Sequence, residues 1–269
     1  MDANIGIVGG LGWLGTAIGS ALSASGLVDP ARLTLSGRSG AAAAEAVRGA
    51  HLTRDNQELV DRSDIVILSV RPDQFADVQI SAGAKLVISV MAGVTAQTIA
   101  SRTGATEIVR SIPSAAAAIR QSFTPWYAVP AVSEKNRRIA QTLFEALGSA
   151  EEVPLEWHID YCAGMTGSGA AFPALLARAM IEHAVSQGLP AGFAERAATG
   201  VLAGAGQLLR EPGVSPTRVV DEMLAYRGIT AAGLQAMIDH GFIAAVGAGL
   251  GAAMHKASAH IRQAGTLET

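Results

Sequence analysis

Three features of the sequence predict an α/β N-terminal half built on a doubly wound parallel sheet, followed by an all-α C-terminal half. Short β-branched or apolar runs alternate with alanine-rich stretches of helical length as far as about Glu151, the pattern of a parallel sheet covered on both faces. A glycine-rich loop stands between the first of these runs and the first helical stretch. After Glu151 the strand signals stop, and helical patterns continue, broken by Gly188-Leu189-Pro190, Glu211-Pro212-Gly213 and Arg227-Gly228. The expected domains are residues 1–152 and 153–269.

The predicted strands are Ile5–Val8, Arg32–Ser36, Ile65–Val70, Leu86–Val90 and Ile108–Ser111. Leu14–Ser25 reads as a helix closed by Gly26; Thr95–Ser101 opens on an N-cap threonine; Ser133–Leu147 opens on a capping serine and stops at Gly148. In the second half, Ala170–Ala179, Ala197–Gly206 and Ala244–Ala253 are rich in small residues. Small residues let helix backbones approach closely, and so much weakly apolar helical surface suits a subunit interface. A homodimer or higher homo-oligomer through the helical domain is expected.

The loop Gly9-Gly10-Leu11-Gly12-Trp13-Leu14-Gly15 follows the strand directly. Gly10, Gly12 and Gly15 form the G-x-G-x-x-G pattern of a Rossmann-type dinucleotide site. Gly10 is assigned the tight turn, Gly12 the close approach of pyrophosphate to backbone, and Gly15 the contact of helix with strand. The first-turn N–H groups and the positive end of the helix then face the phosphates. At the end of the second strand no acid awaits an adenosine ribose. Instead Ser36-Gly37-Arg38-Ser39 offers a guanidinium and hydroxyls, which suit a 2′-phosphate and favour NADPH over NADH.

Composition narrows the remaining classes. With 49% hydrophobic residues in 269, the chain can bury a substantial core. Its single cysteine, Cys162, excludes an internal disulfide, reads as a small buried apolar residue, and points to a reducing, cytoplasmic setting. No metal site is expected. Met1-Asp2-Ala3-Asn4 enters a strand without the features of an exported precursor, and no apolar stretch, Gly241–Ala253 included, reaches the about 18 residues of a membrane span. A net charge of −3 and 4% aromatic residues supply neither basic face nor stacking platform for nucleic acid.

Several further segments together resemble the pyrroline-5-carboxylate reductase family over nearly the whole chain. Ser63–Asp73, with Val70-Arg71-Pro72, is similar to the family's D-V-I-x-L-A-V-K-P-Q, with arginine for lysine. Lys85–Thr95, with Ala92-Gly93, is similar to I-S-I-x-A-G-I, and Val109–Ser114, with Pro113, to R-V-M-P-N-T-P, where Ser114 replaces asparagine. Asp160–Phe172 resembles D-A-V-T-A-L-S-G-S-G-P-A-Y and keeps Gly167-Ser168-Gly169. Tyr226–Leu234 resembles P-G-G-T-T-x-A-G-L, keeping Gly228, Thr230 and the Ala-Gly-Leu tail; Ala225, Tyr226 and Arg227 replace the family's serine, proline and first glycine. Cofactor contacts are expected from the glycine loop at Gly10, Leu11, Gly12, Trp13, Leu14 and Gly15 and from the end of the second strand at Ser36, Arg38 and Ser39, and the resemblance adds Val70, Arg71, Pro72, Ala92, Gly93 and Pro113. It implies substrate contacts at Thr166, Ser168 and Gly228, with Thr230 near the imine nitrogen, and a helical dimerisation domain; Tyr226 and Arg227, which depart from the family loop, are expected to reshape the substrate pocket.

The implied reaction is hydride transfer from NADPH to the C=N bond of a cyclic imino acid, 1-pyrroline-5-carboxylate to proline. Such a reaction needs positioning more than acid-base machinery, which fits a chain without a Ser-His-Asp set or carboxylate pair. His158 and His183 are the only two of six histidines near the implied site elements. Arg227, a planar guanidinium, offers a bidentate grip on a carboxylate, and with Tyr226 it suggests another cyclic imine or imino acid as the alternative substrate. A non-catalytic NADP-binding protein is the alternative from outside the enzymes. A β-hydroxyacid dehydrogenase would need a helical lysine as its acid, and Lys256 is the only lysine in that half.

Overall fold

A computed structural model describes residues 1–37, 45 and 47–265; Arg38 and Ser39 therefore lie outside the described residues. Contacts divide the chain into two compact units, Met1–Gly169 with the residues from Leu250 onward, and Ala170–Gly249.

The first unit holds one eight-stranded sheet: β1 (Ile5–Val8), β2 (Leu33–Ser36), β3 (His51–Thr53), β4 (Ile65–Leu68), β5 (Leu86–Ser89), β6 (Glu107–Ser111), β7 (Ser122–Ala128) and β8 (Gly148–Glu152). Their order is β3-β2-β1-β4-β5-β6-β7-β8. Every neighbouring pair is parallel except β6 and β7. The five expected strands are present: the first as read, the second, third and fourth shorter by one or two residues, and the fifth longer by Glu107. Three others, β3, β7 and β8, escaped the sequence reading. Residues alternate between two cores along the central strands. Ile5, Ile7, Ile65, Ile67 and Ile88 pack in one cluster, and Val8, Val66, Leu68 and Val87 in the other. Burial on both faces explains why these strands read as unbroken apolar runs.

Helix α1 (Trp13–Ala24) follows the glycine loop, and Gly26 takes the left-handed conformation at φ +70° that ends it. Asp55 caps α2 (Asn56–Asp61) by accepting from the N–H groups of Gln57 and Glu58. Thr95 and Ser133 cap α3 (Ala96–Thr103) and α4 (Glu134–Glu145) as expected, accepting from Thr98 and Asn136 N–H groups. Helix α5 (Trp157–Met165) completes the contiguous part of this unit. A Cβ on its Gly164 would stand 3.0 Å from that of Ala253, so glycine lets α5 lie directly on the C-terminal helix.

The second unit is helical: α6 (Ala171–Ser186), α7 (Ala191–Leu208), α8 (Pro216–Tyr226), α9 (Ile229–Asp239) and the start of α10 (Phe242–Gly265). Taken alone it buries little. Neither α6 nor α8 has a buried residue, α7 buries Ala194 and Ala198, and α9 buries Ala231. Among the described residues no single helix is long and apolar enough to cross a membrane.

Candidate active site

Strand order reverses direction at β1, which lies between β2 and β4, and open α/β sheets bind ligands outside the carboxyl ends of the strands at such a switch point. A cleft of about 1060 Å³ opens there, at the upper end of the about 300–1,000 Å³ usual for small-molecule sites. Its floor is the glycine loop.

The four glycines of the loop do different work. The left-handed residue is Gly9, at φ +78°, and a Cβ on it would stand 2.5 Å from the carbonyl oxygen of Ser69. The turn assigned to Gly10 is thus made at Gly9. Gly10 instead is packed, since its Cβ would meet Ile7 O at 2.7 Å and Leu35 Cδ2 at 2.9 Å. A Cβ on Gly15 would lie 2.6 Å from both Gly10 Cα and Gly9 O, so glycine is what lets α1 close on the loop. Gly12 differs: its nearest contact would be Gly9 O at 3.1 Å, and its backbone, φ −78° and ψ 168°, is ordinary. The space beside Gly12 belongs to the cleft. Helix α1 starts at Trp13 without a side-chain cap, leaving its first-turn amides to an anion. A cradle whose only unfilled Cβ position faces the cleft, above an uncapped helix, fits a pyrophosphate.

Leu11, Gly12, Trp13, Leu14, Val70 and Arg71 line the cleft. Arg71 pairs with Asp73 at 3.0 Å, and Pro72 opens the short 3-10 turn that follows. Ser36 is fully buried, and its hydroxyl donates to Asn56 Oδ1 at 2.6 Å; it reaches the cleft through Asn56, which lines it together with Arg54. Sequence reasoning missed both residues because Arg54 follows β3 and Asn56 opens α2, two elements it did not find. Ala92-Gly93 turns after β5, with Gly93 left-handed at φ +67°; neither these two nor Pro113 is among the residues lining this cleft.

At the end of β6 the chain is held by a buried arginine that escaped sequence reasoning. Arg110, 1% exposed, donates to Glu156 Oε1 at 2.8 Å and to Asp160 Oδ1 at 2.7 Å. Glu156 Oε1 also accepts the Ala96 N–H at the start of α3, at 2.7 Å. One guanidinium therefore ties β6 to the first turn of α5 and, through Glu156, to α3. A lone arginine in the apolar strand Ile108-Val109-Arg110 was the available signal, because a charge is buried only when paired.

The far end of α5 carries the Gly167-Ser168-Gly169 segment back to β6. A Cβ on Gly167 would lie 2.6 Å from Ile112 Cγ2, and Gly169, at φ +53°, lies beside Ser114. Thr166 is the C-cap of α5 and donates its hydroxyl to Cys162 O at 3.0 Å; Ser168 is half-buried in the same turn. Ser114 is turned inward, where its hydroxyl caps the turn Ala115–Ile119 by accepting from Ala116 N–H at 3.3 Å and its own N–H donates to Ser122 Oγ at 3.0 Å. Burial pushes the Cys162 thiol up, away from the thiolate form that a nucleophile needs. Among the described residues no cluster of His, Cys, Asp and Glu could hold a metal ion.

The Tyr226–Thr230 turn belongs to the helical unit. Arg227 is the C-cap of α8 at φ +56°, a left-handed conformation in a residue other than glycine. Gly228 is the N-cap of α9 and offers no side chain, so Thr230, exposed on the first turn, is not the cap residue. Tyr226 is 81% exposed, with its ring edge beside Gly228.

Comparison with known proteins accords with this geometry. Residues 156–260 match the family model for pyrroline-5-carboxylate reductase dimerisation, and residues 4–93 match that for coenzyme F420-dependent NADP oxidoreductases. The chain is 30% identical to a pyrroline-5-carboxylate reductase of Synechocystis sp. over 91% of its own length and 94% of the relative's. It is 31% identical to one of Thermus thermophilus over 85% and 87%. The solved structure of a pyrroline-5-carboxylate reductase from Coxiella burnetii superposes with a TM-score of 0.87, at 27% identity, covering 97% of this chain and 99% of that one. On sequence, sheet order and glycine loop alike, this chain belongs to the pyrroline-5-carboxylate reductase family.

Proposed function

We propose that this chain is an NADPH-dependent reductase that delivers hydride to the C=N carbon of 1-pyrroline-5-carboxylate, giving proline. The observation that carries the reading is the cleft at the β1–β4 switch point, with Gly12 open to it and the amides of α1 uncapped. When bound, the nicotinamide supplies the hydride. The chain's own residues position and exclude: the loop amides and the end of α1 hold phosphates, while Val70 and Arg71 form a wall. Orientation of this kind contributes on the order of 7–11 kcal/mol to such a step.

Thr230 is assigned the hydrogen bond to the imine or nascent amine nitrogen, on the resemblance of Gly228–Thr230 to the family loop; its exposed place on the first turn of α9 leaves the hydroxyl available. The NADPH preference rests on Arg38 and Ser39 in the sequence. A homo-oligomer assembled through the helical unit is favoured by helices α6 and α8, in which no residue is fully buried within one chain, and by the dimerisation match. A single cysteine suits a reducing cytoplasm.

The strained Arg227 favours a second reading, a related imino acid whose carboxylate this guanidinium grips. The test is NADPH consumption, with NADH in parallel, over cyclic imines with and without a carboxylate. Preferential turnover of pyrroline-5-carboxylate is expected; turnover no better than that of the other imines contradicts the proline reading.

A further inference from the structure

We propose that Arg54, the residue that leaves the edge strand β3, selects the cofactor by taking the 2′-phosphate that distinguishes NADPH from NADH. The inference rests on the NADPH reading of the same cleft and adds a determinant from a different strand. Pairing of Ser36 with Thr53 places Arg54 opposite Gly37, the first residue beyond β2, where the adenosine ribose is normally read. Gly37 cannot do that reading. It has no side chain, and a Cβ there would stand 2.8 Å from that of Leu11, so the chain lies directly on the glycine loop. Recognition from the described residues at this end of the cleft passes to the chain that leaves the neighbouring strand, where Arg54 and Asn56 both line it.

The surrounding charges leave the guanidinium available. Asp55 spends its carboxylate on the Gln57 and Glu58 amides. Glu58 is engaged by Thr53 and by His51. Arg71, across the cleft, is paired with Asp73. Among the described residues no acid forms an ion pair with Arg54. Asn56, whose Oδ1 accepts from the Ser36 hydroxyl, lines the same cleft as Arg54 and keeps its amide donors for a ligand. An exposed arginine with a neighbouring amide donor is a site for a phosphate monoester, which a guanidinium meets in bidentate fashion.

The test is direct binding, by calorimetric titration of the full chain with NADPH, NADH, 2′,5′-ADP and 5′-AMP, for wild type, Arg54→Ala and Arg54→Lys. For Arg54→Ala we expect dissociation constants for NADPH and 2′,5′-ADP to rise about 10- to 100-fold, the range of a charge-assisted hydrogen bond. NADH and 5′-AMP should stay within about twofold, and Arg54→Lys should keep part of the preference. Equal weakening of both dinucleotides would assign the guanidinium to the adenine and overturn the proposal. So would a preference for NADPH that survives Arg54→Ala intact, with the NADPH reading itself left standing. A wild-type chain that binds NADH as tightly as NADPH overturns both.

Discussion

Gly10, Gly12 and Gly15 share a residue type and meet three different surroundings, so the same substitution has opposite consequences at them. Gly15→Ala drives a methyl into backbone atoms 2.6 Å away, which cannot yield as a side-chain tip can; it is expected to cost about 1–3 kcal/mol or more in denaturant unfolding. Gly12→Ala meets only Gly9 O, at 3.1 Å, in a backbone conformation that alanine adopts. Its stability should stay within about 1 kcal/mol of wild type, while NADPH affinity in a fluorescence titration collapses. A stable Gly12→Ala chain with wild-type affinity would mean that the loop is a bare turn. Arg227 separates strain from function in the same way. Arg227→Gly relieves a left-handed residue and should gain about 1 kcal/mol, yet raise KM for the carboxylate substrate at least about tenfold with kcat little changed. An unchanged KM removes the carboxylate role.

Among the elements, the contact of α5 with β6 depends on one buried cation. Arg110→Met strands the carboxylates of Glu156 and Asp160, 2.8 and 2.7 Å from its nitrogens; the loss should be about 3–5 kcal/mol in denaturant unfolding. Adding Glu156→Gln and Asp160→Asn should recover part of it, and a cost under about 1 kcal/mol would show that the network holds nothing together. What could be read of the elements from the sequence follows from the same physics. Strands β1, β4 and β5 are buried on both faces, so Ile5–Val8, Ile65–Leu68 and Leu86–Ile88 carry no polar side chain and read unmistakably as strands. Strand β7 interrupts its pattern with Pro125, and β8, Gly148–Glu152, is a polar edge strand. Both owe their pairing to tertiary context rather than to local pattern. The caps at Thr95 and Ser133 are local chemistry and were legible. The cleft's glycine floor was legible for the same reason, whereas Arg54 and Asn56 emerge only once β3 and α2 are in place, and Arg110 betrays its burial in the sequence but not its partners Glu156 and Asp160.

For the molecule as a whole, the two compact units divide the work. The sheet unit carries a cleft with phosphate-binding geometry and a turn, Gly167–Gly169, fitted to the end of β6. The helical unit leaves Leu175, Phe193, Val201 and Ile243 exposed within one chain, a surface that association of copies would cover. These features, with the family membership, give the account its central claim, hydride transfer to an imine carbon. Its most direct test follows the hydride itself. The chain is incubated with 1-pyrroline-5-carboxylate and NADPH carrying deuterium at the transferable position of the nicotinamide, and the product is examined by mass spectrometry and NMR. The expected product is proline bearing one deuterium, at the former imine carbon, formed in step with cofactor oxidation. Cofactor oxidation without deuterated proline, or no oxidation by a folded chain that binds NADPH, would contradict it.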